Sequence, residues 1–231
     1  LYLHYLSLHV DMEKEAGILM YEIKISLTFQ KQVYAIFFVI ILSLVRGVTY
    51  SNEIGIALEA PIAILAFTFC ADTYTQEIVS KRSEIQRLYS MKKRIHCIYR
   101  RIVIQEIFLL VVAAASYGLF FLFQNPRTDG IGQSGLESEI SQFLVYFAAI
   151  SVTLGFWGLL SNLFSCFFQN MWAGIGGCLM LWMITNSSIG DRYFGAWNLF
   201  SYTFRKLENI SDFSWICGKI VCICIGIMAV A

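Results

Sequence analysis

Between Ile140 and Gly190 the chain carries no Asp, Glu, Lys or Arg. That absence excludes a soluble globular domain over this stretch, because such domains hold about 25% charged residues. A membrane-crossing helix needs about 20 consecutive apolar residues, so residues 140–190 hold two spans and a turn. Charge is scarce elsewhere too: charged residues make up 14% of the chain and hydrophobic ones 58%. Mean hydropathy is +0.64. The composition implies an all-α, polytopic membrane protein.

Signatures of catalysis and of nucleotide or metal binding are missing as well. Gly218-Lys219, the one Gly-Lys pair, lacks the upstream Gly and the following Ser or Thr of a phosphate-binding loop. There is no Gly-x-Ser-x-Gly elbow, no His-Glu-x-x-His and no His and carboxylate set inside a span. The chain is therefore expected not to be an enzyme and to bind no cofactor itself. The seven cysteines (70, 97, 166, 178, 217, 222 and 224) lie scattered, mostly in apolar runs, without zinc-site spacing, and their odd number argues against a complete disulfide framework. They read as small hydrophobes. His4, His9 and His96 do not share a metal-ligand spacing, so no metal is assigned.

What charge there is, is placed unevenly. Eight of the 17 Lys and Arg residues fall between Lys81 and Arg101. Six spans are expected, at about 33–51, 55–71, 102–124, 141–165, 171–190 and 213–231, following an N-terminal segment over 1–32 and together forming a six-helix transmembrane domain over 33–231. Asn125 to Gly135 is dense in turn formers, and Gln169-Asn170 is the expected turn between spans four and five. With the N-terminus inside, the cytoplasmic loops (1–32, 72–101, 166–170) hold eleven basic residues. The outer loops hold four, namely Arg127, Arg192, Arg205 and Lys206. That bias sets the N-terminus in the cytoplasm of a multi-pass cell-membrane protein. The first residue is Leu, so residue 1 is not an ordinary start and Met12 or Met20 is expected to lie closer to one, while the last twelve residues are still apolar, so the natural chain is expected to continue beyond Ala231.

The segment Met20–Gln32 alternates apolar and polar residues like a strand. An isolated strand at a bilayer leaves its backbone unpaired, so an interfacial helix is preferred. Among ionisable residues near spans, Arg46, Glu59 and Glu106 stand out. Either carboxylate could serve a substrate or a proton, since a buried charge is costly and usually functional. The preferred reading pairs Glu59 with Arg46, and Glu106 with Arg100 or Arg101. Ala173 and Gly177, like Gly174 and Cys178, lie four apart on one helical face, which suits either a dimer interface or packing within the chain.

Six spans, an amphipathic segment before the first, a long basic first cytoplasmic loop, a short second one and a substantial last outer loop form a pattern. It resembles the permease subunits of ABC exporters of the six-span type that includes the G-subfamily and bacterial drug, polysaccharide and peptide exporters. The resemblance covers nearly the whole chain and rests on architecture plus a few residues: Glu84-Ile85, Leu88-Tyr89 and Lys92-Lys93-Arg94, in that order. It departs from the family in having Ser90-Met91 where members often place a turn proline. The resemblance implies an elbow helix over Tyr21–Lys31 and a cytoplasmic coupling helix between spans two and three. That helix would contact a separate ATPase subunit through Glu77, Arg82, Glu84, Arg87 and Tyr89. It further implies ATP and Mg on that partner, a second permease chain (a homodimer in preference to a heterodimer), short re-entrant helices in 191–212, and export from a bacterial cell. The competing expectations are an ion- or proton-coupled secondary transporter and a non-transporting immunity or assembly protein. No role with nucleic acid is expected.

Overall fold

The computed structural model describes residues 17, 19–73, 75, 91–127, 136–205 and 212–230, with side chains at 91–95, 136–138 and 229–230 left aside. Among the described residues every regular element is helical. In chain order these are α1 (Leu19–Ser26), α2 (Phe29–Val45), α3 (Glu53–Cys70), α4 (Met91–Gln124), α5 (Leu136–Phe168), α6 (Met171–Thr185), α7 (Ser188–Phe194), a 3-10 turn at Gly195–Trp197 and α8 (Trp215–Val230).

Three helices, α3, α4 and α5, are long and apolar enough to cross a membrane, or four if α1 and α2 are counted as one bent span. The apolar α6 and α8 are shorter. Six full spans are thus not established. Span five was expected to reach Gly190, but α6 stops at Thr185 and Ser187 caps α7 instead, accepting from Gly190 N. At about 1.5 Å per residue α6 extends only about 22 Å, less than the roughly 30 Å of a bilayer's hydrocarbon core. Large apolar side chains nevertheless face outward, among them Phe37 and Leu44 on α2, Ile107, Val111 and Leu122 on α4, and Ile220 and Ile227 on α8. Such a surface is costly in water and natural against lipid tails.

The helices run alternately up and down. Lys31 at the start of α2 meets Phe69 and Asp72 at the end of α3. Glu106, halfway along α4, faces Gly155 and Gly158 in the second half of α5. α3 is the central helix: thirteen of its 18 residues are buried, and it packs against α2, α4, α5 and α6. Pro61 lies inside it and lacks the N–H that would bond four residues back. Beside that break Trp182 Nε1 of α6 donates to Ala60 O at 2.8 Å.

The connections obey local chemistry. Gln169 takes a left-handed φ of 52° and Asn170 accepts from Trp172 N, so the expected turn at Gln169-Asn170 is where α5 gives way to α6. The α5–α6 hairpin closes on Gly174, where a Cβ would overlap Ser165 Oγ, and on Gly177, against the Phe164 ring. Ala173 is half-buried beside them. The small-residue face thus packs within the chain. At the other end of the bundle the α2–α3 and α4–α5 connections are tied by a bridge, Arg127 N to Thr49 O at 2.9 Å and Ser51 N to Arg127 O at 3.2 Å.

The segment Met20–Gln32 is helical on either side of one break, as preferred over a strand. It breaks at Leu27-Thr28, so α1 leaves α2 at 59°. The basic segment differs from expectation. Residues 91–101, read as loop, begin α4, a 34-residue helix about 51 Å long. Lys and Arg are good helix formers, and their charge does not end a helix that leaves the apolar layer.

Candidate functional site: buried charge within the helical bundle

Four elements converge on Glu59. The carboxylate, wholly buried on α3, accepts from Thr153 Oγ1 of α5 at 3.0 Å, from Thr203 Oγ1 at 2.6 Å, and from Lys219 Nζ of α8. Lys219 Nζ also donates to Thr153 Oγ1 at 2.9 Å and to Leu199 O at 3.1 Å. Both charges are therefore paired and bonded further, the condition under which ions persist away from water. Glycine makes the approach possible. A Cβ on Gly218 would overlap Asn198 O and Ser201 Oγ, so its absence lets the 198–203 backbone lie on α8 and present Leu199 O to the ammonium. Asn198 is anchored in turn to Thr185 O at 2.8 Å, and Ser201 to Trp215 O at 2.7 Å. The cluster thus joins the 195–205 segment to α3, α5 and α8.

This corrects the expected pairing of Glu59 with Arg46. Arg46 is exposed where α2 ends, and the ion pair forms with Lys219, 160 residues away in sequence. Glu106 was expected to reach Arg100 or Arg101. Both arginines turn instead to Glu22 of α1, with Arg100 Nη2 at 3.3 Å and Arg101 Nε bonded directly. Glu106 Oε1 is left buried without a hydrogen-bond partner.

At the basic end of the bundle the α1–α2 joint is held by further polar contacts. Gln105 Nε2 donates to Ser26 O at 3.3 Å, and Gln105 Oε1 accepts from Thr73 Oγ1 at 2.9 Å. Lys31 Nζ donates to Phe69 O at 3.0 Å, pairs with Asp72, and lies 5.0 Å from the Phe69 ring centre. A cation at the C-terminal carbonyls of α3 complements the helix dipole. Burial alone would raise the Glu22 carboxyl. The Arg101 guanidinium, helped by Cys97 and Arg100, outweighs it and holds Glu22 below its ordinary value of 4.5. At the opposite end Gln124, the last residue of α4, accepts from Val48 N at 2.7 Å and donates to Ser43 O at 2.7 Å and to Arg46 O.

The expected ATPase contacts Glu77, Arg82, Glu84, Arg87 and Tyr89 lie outside the described residues. No group of His, Cys, Asp or Glu suited to a metal occurs among the described residues. Lys219 lies near the start of the last apolar run, and nothing in the sequence joined it to Glu59. The available signal was one unpaired cation and one unpaired anion, each inside an apolar run. The Glu22–Arg101 contact left no signal in the sequence.

Bundle and buried charges together define the class: an α-helical protein whose apolar helices fit a membrane protein. No family model matches the chain, and neither a curated protein nor a solved structure matches it significantly.

Proposed function

We propose that the chain is the transmembrane permease subunit of an ATP-driven ABC exporter, moving an amphipathic substrate out of a bacterial cytoplasm with a separate ATPase subunit and a second permease chain. The observation that carries the reading is the α1–α4 junction. A short helix leaves the first apolar helix at 59° and is fastened through Glu22 to Arg101, inside the segment that holds eight of the chain's 17 basic residues. In this reading α2, α3, α4, α5, α6 and α8 are the six spans, and α1 is the elbow. α7 with the 3-10 turn forms the re-entrant outer segment, and the stretch between α3 and α4 carries the coupling helix. Basic residues beside spans stay cytoplasmic, so the α1–α4 junction faces the ATPase. ATP drives the cycle only by binding one arrangement of the subunits more tightly than the other.

The test is co-isolation. The tagged chain, extracted from its native membrane after mild crosslinking, is expected to bring down an ATP-binding subunit, and Glu84→Arg with Arg87→Glu to reduce that yield several-fold. Absence of any ATP-binding subunit from the wild-type extract would sink the reading. A second reading, an ion- or proton-coupled transporter, draws on the Glu59–Lys219 pair lying among the helices. It predicts transport that collapses with the ion gradient and persists without ATP.

A further inference from the structure

Glu106 is a partly buried acid whose inner oxygen the bundle itself does not answer. Its Oε1 atom has no hydrogen-bond partner, and the nearby arginines are committed to Glu22. The recess that holds it is made by two glycines of α5. A Cβ on Gly158 would come within 2.5 Å of Oε1, and one on Gly155 within 3.3 Å of Oε2. Any larger residue at Gly158 would expel the carboxyl.

The same side chain lines a cleft of about 160 Å³ between α4 and α5, with Val103, Ile107, Leu110, Ser151 and Leu154. Ile107 and Ser151 are exposed, so the cleft opens on the outer face of the bundle. Gly155 also lines a larger cleft of about 510 Å³, walled by Phe156 and Leu159 of α5 and by Ile223 and Ile227 of α8. An acid therefore sits beside two apolar clefts that would face lipid tails.

We propose that the Glu106 recess binds hydrophobic cations: amphiphiles whose ammonium meets the carboxylate and whose apolar body lies in the clefts beside it. A lone carboxylate in apolar surroundings is costly, so the occupant must supply either a proton or a cation. A hydrated metal ion or a soluble amine has no apolar route to this face. An amphiphilic ammonium partitions into the bilayer first and approaches sideways, with charge-assisted bonding to the acid on arrival. The inference deepens the exporter reading, since it names a substrate class. The binding measured below needs no ATPase, so its failure and the failure of co-isolation are separate events.

The experiment uses the purified full chain in nanodiscs of zwitterionic lipid and radiolabelled dodecylamine, which is an ammonium ion at neutral pH. Saturable binding is expected, displaced by unlabelled dodecylamine but not by dodecanol. Glu106→Gln should weaken it roughly ten- to hundredfold, the scale of a lost charged hydrogen bond. That variant keeps the side chain's shape and removes an unpaired charge, so its thermal midpoint should match or exceed that of the wild type. Equal binding by wild type and Glu106→Gln overturns the proposal, as does displacement by dodecanol. Absence of saturable binding also overturns it and leaves a proton as the occupant.

Discussion

Replacing Lys219 with Met is the sharpest probe of the buried cluster. Met keeps most of the stem volume and removes the ammonium. Glu59, wholly buried, would retain only the hydroxyls of Thr153 and Thr203, while Leu199 O would keep only the Cys222 thiol, at 3.9 Å. Stranding one member of a buried ion pair costs about 3–5 kcal/mol. For a chain of this size each kcal/mol shifts the thermal midpoint by about 2–4 °C, so a fall of roughly 6–20 °C is expected. Replacing both charges, Glu59→Leu with Lys219→Met, removes the uncompensated ion and should recover most of that loss, because an apolar pair of similar volume often serves as well as a buried salt bridge. The assay is thermal unfolding of the four proteins of the double-mutant cycle in one detergent, followed by tryptophan fluorescence. A Lys219→Met midpoint within about 2 °C of wild type would refute the reasoning, and so would a double variant showing the plain sum of the single losses.

Other consequences are as direct. Gly174→Ala places a methyl against Ser165 Oγ and the Ser161 carbonyl and should destabilise the α5–α6 hairpin by about 1–3 kcal/mol, whereas Gly176→Ala, with nothing within 4 Å, should be neutral or slightly stabilising; comparing their thermal midpoints decides it. A carboxyl whose folded value is depressed stabilises the fold above its unfolded value and loses that contribution as pH falls through the folded one. The Glu22–Arg101 contact should therefore persist down to about pH 4.5 and release α1 only below it, seen as a loss of amide-exchange protection at Leu19–Ser26 relative to the intrinsic rate at each pH. Glu22→Gln should abolish that acid step.

Composition made the helical class legible, since a stretch free of charge from Ile140 to Gly190 admits few other folds. The turn at Gln169-Asn170 was legible for a local reason: both residues tolerate the conformations a tight connection needs, and Asn caps the next helix. Element ends were less legible where local rules compete. Charge placed residues 91–101 in a loop, but helix propensity and the packing of Arg101 and Gln105 against α1 carry α4 through them. Apolar length suggested a span to Gly190, and the capping hydroxyl of Ser187 ended α6 earlier.

The site was half legible. Glu59 and Glu106 stood out because an acid in an apolar run demands an explanation. Their partners did not, because hydropathy reports how deep a residue lies and not which helix lies beside it. Nearest-in-sequence pairing favoured Arg46 and Arg100. The bundle instead brings Lys219 across 160 residues to Glu59 and spends Arg100 on Glu22, leaving Glu106 alone.

The contacts at the two ends of α4 have a mechanical consequence. Near its basic end Arg101 and Gln105 hold α1, and at its far end Gln124 holds the last turn of α2 and the chain just beyond it. α4 is thus fastened to α1 near one end and to α2 at the other, and it links the two across the 59° bend between them. A push delivered beside Arg101 would be carried along α4 toward Gln124, some 35 Å away along the rod.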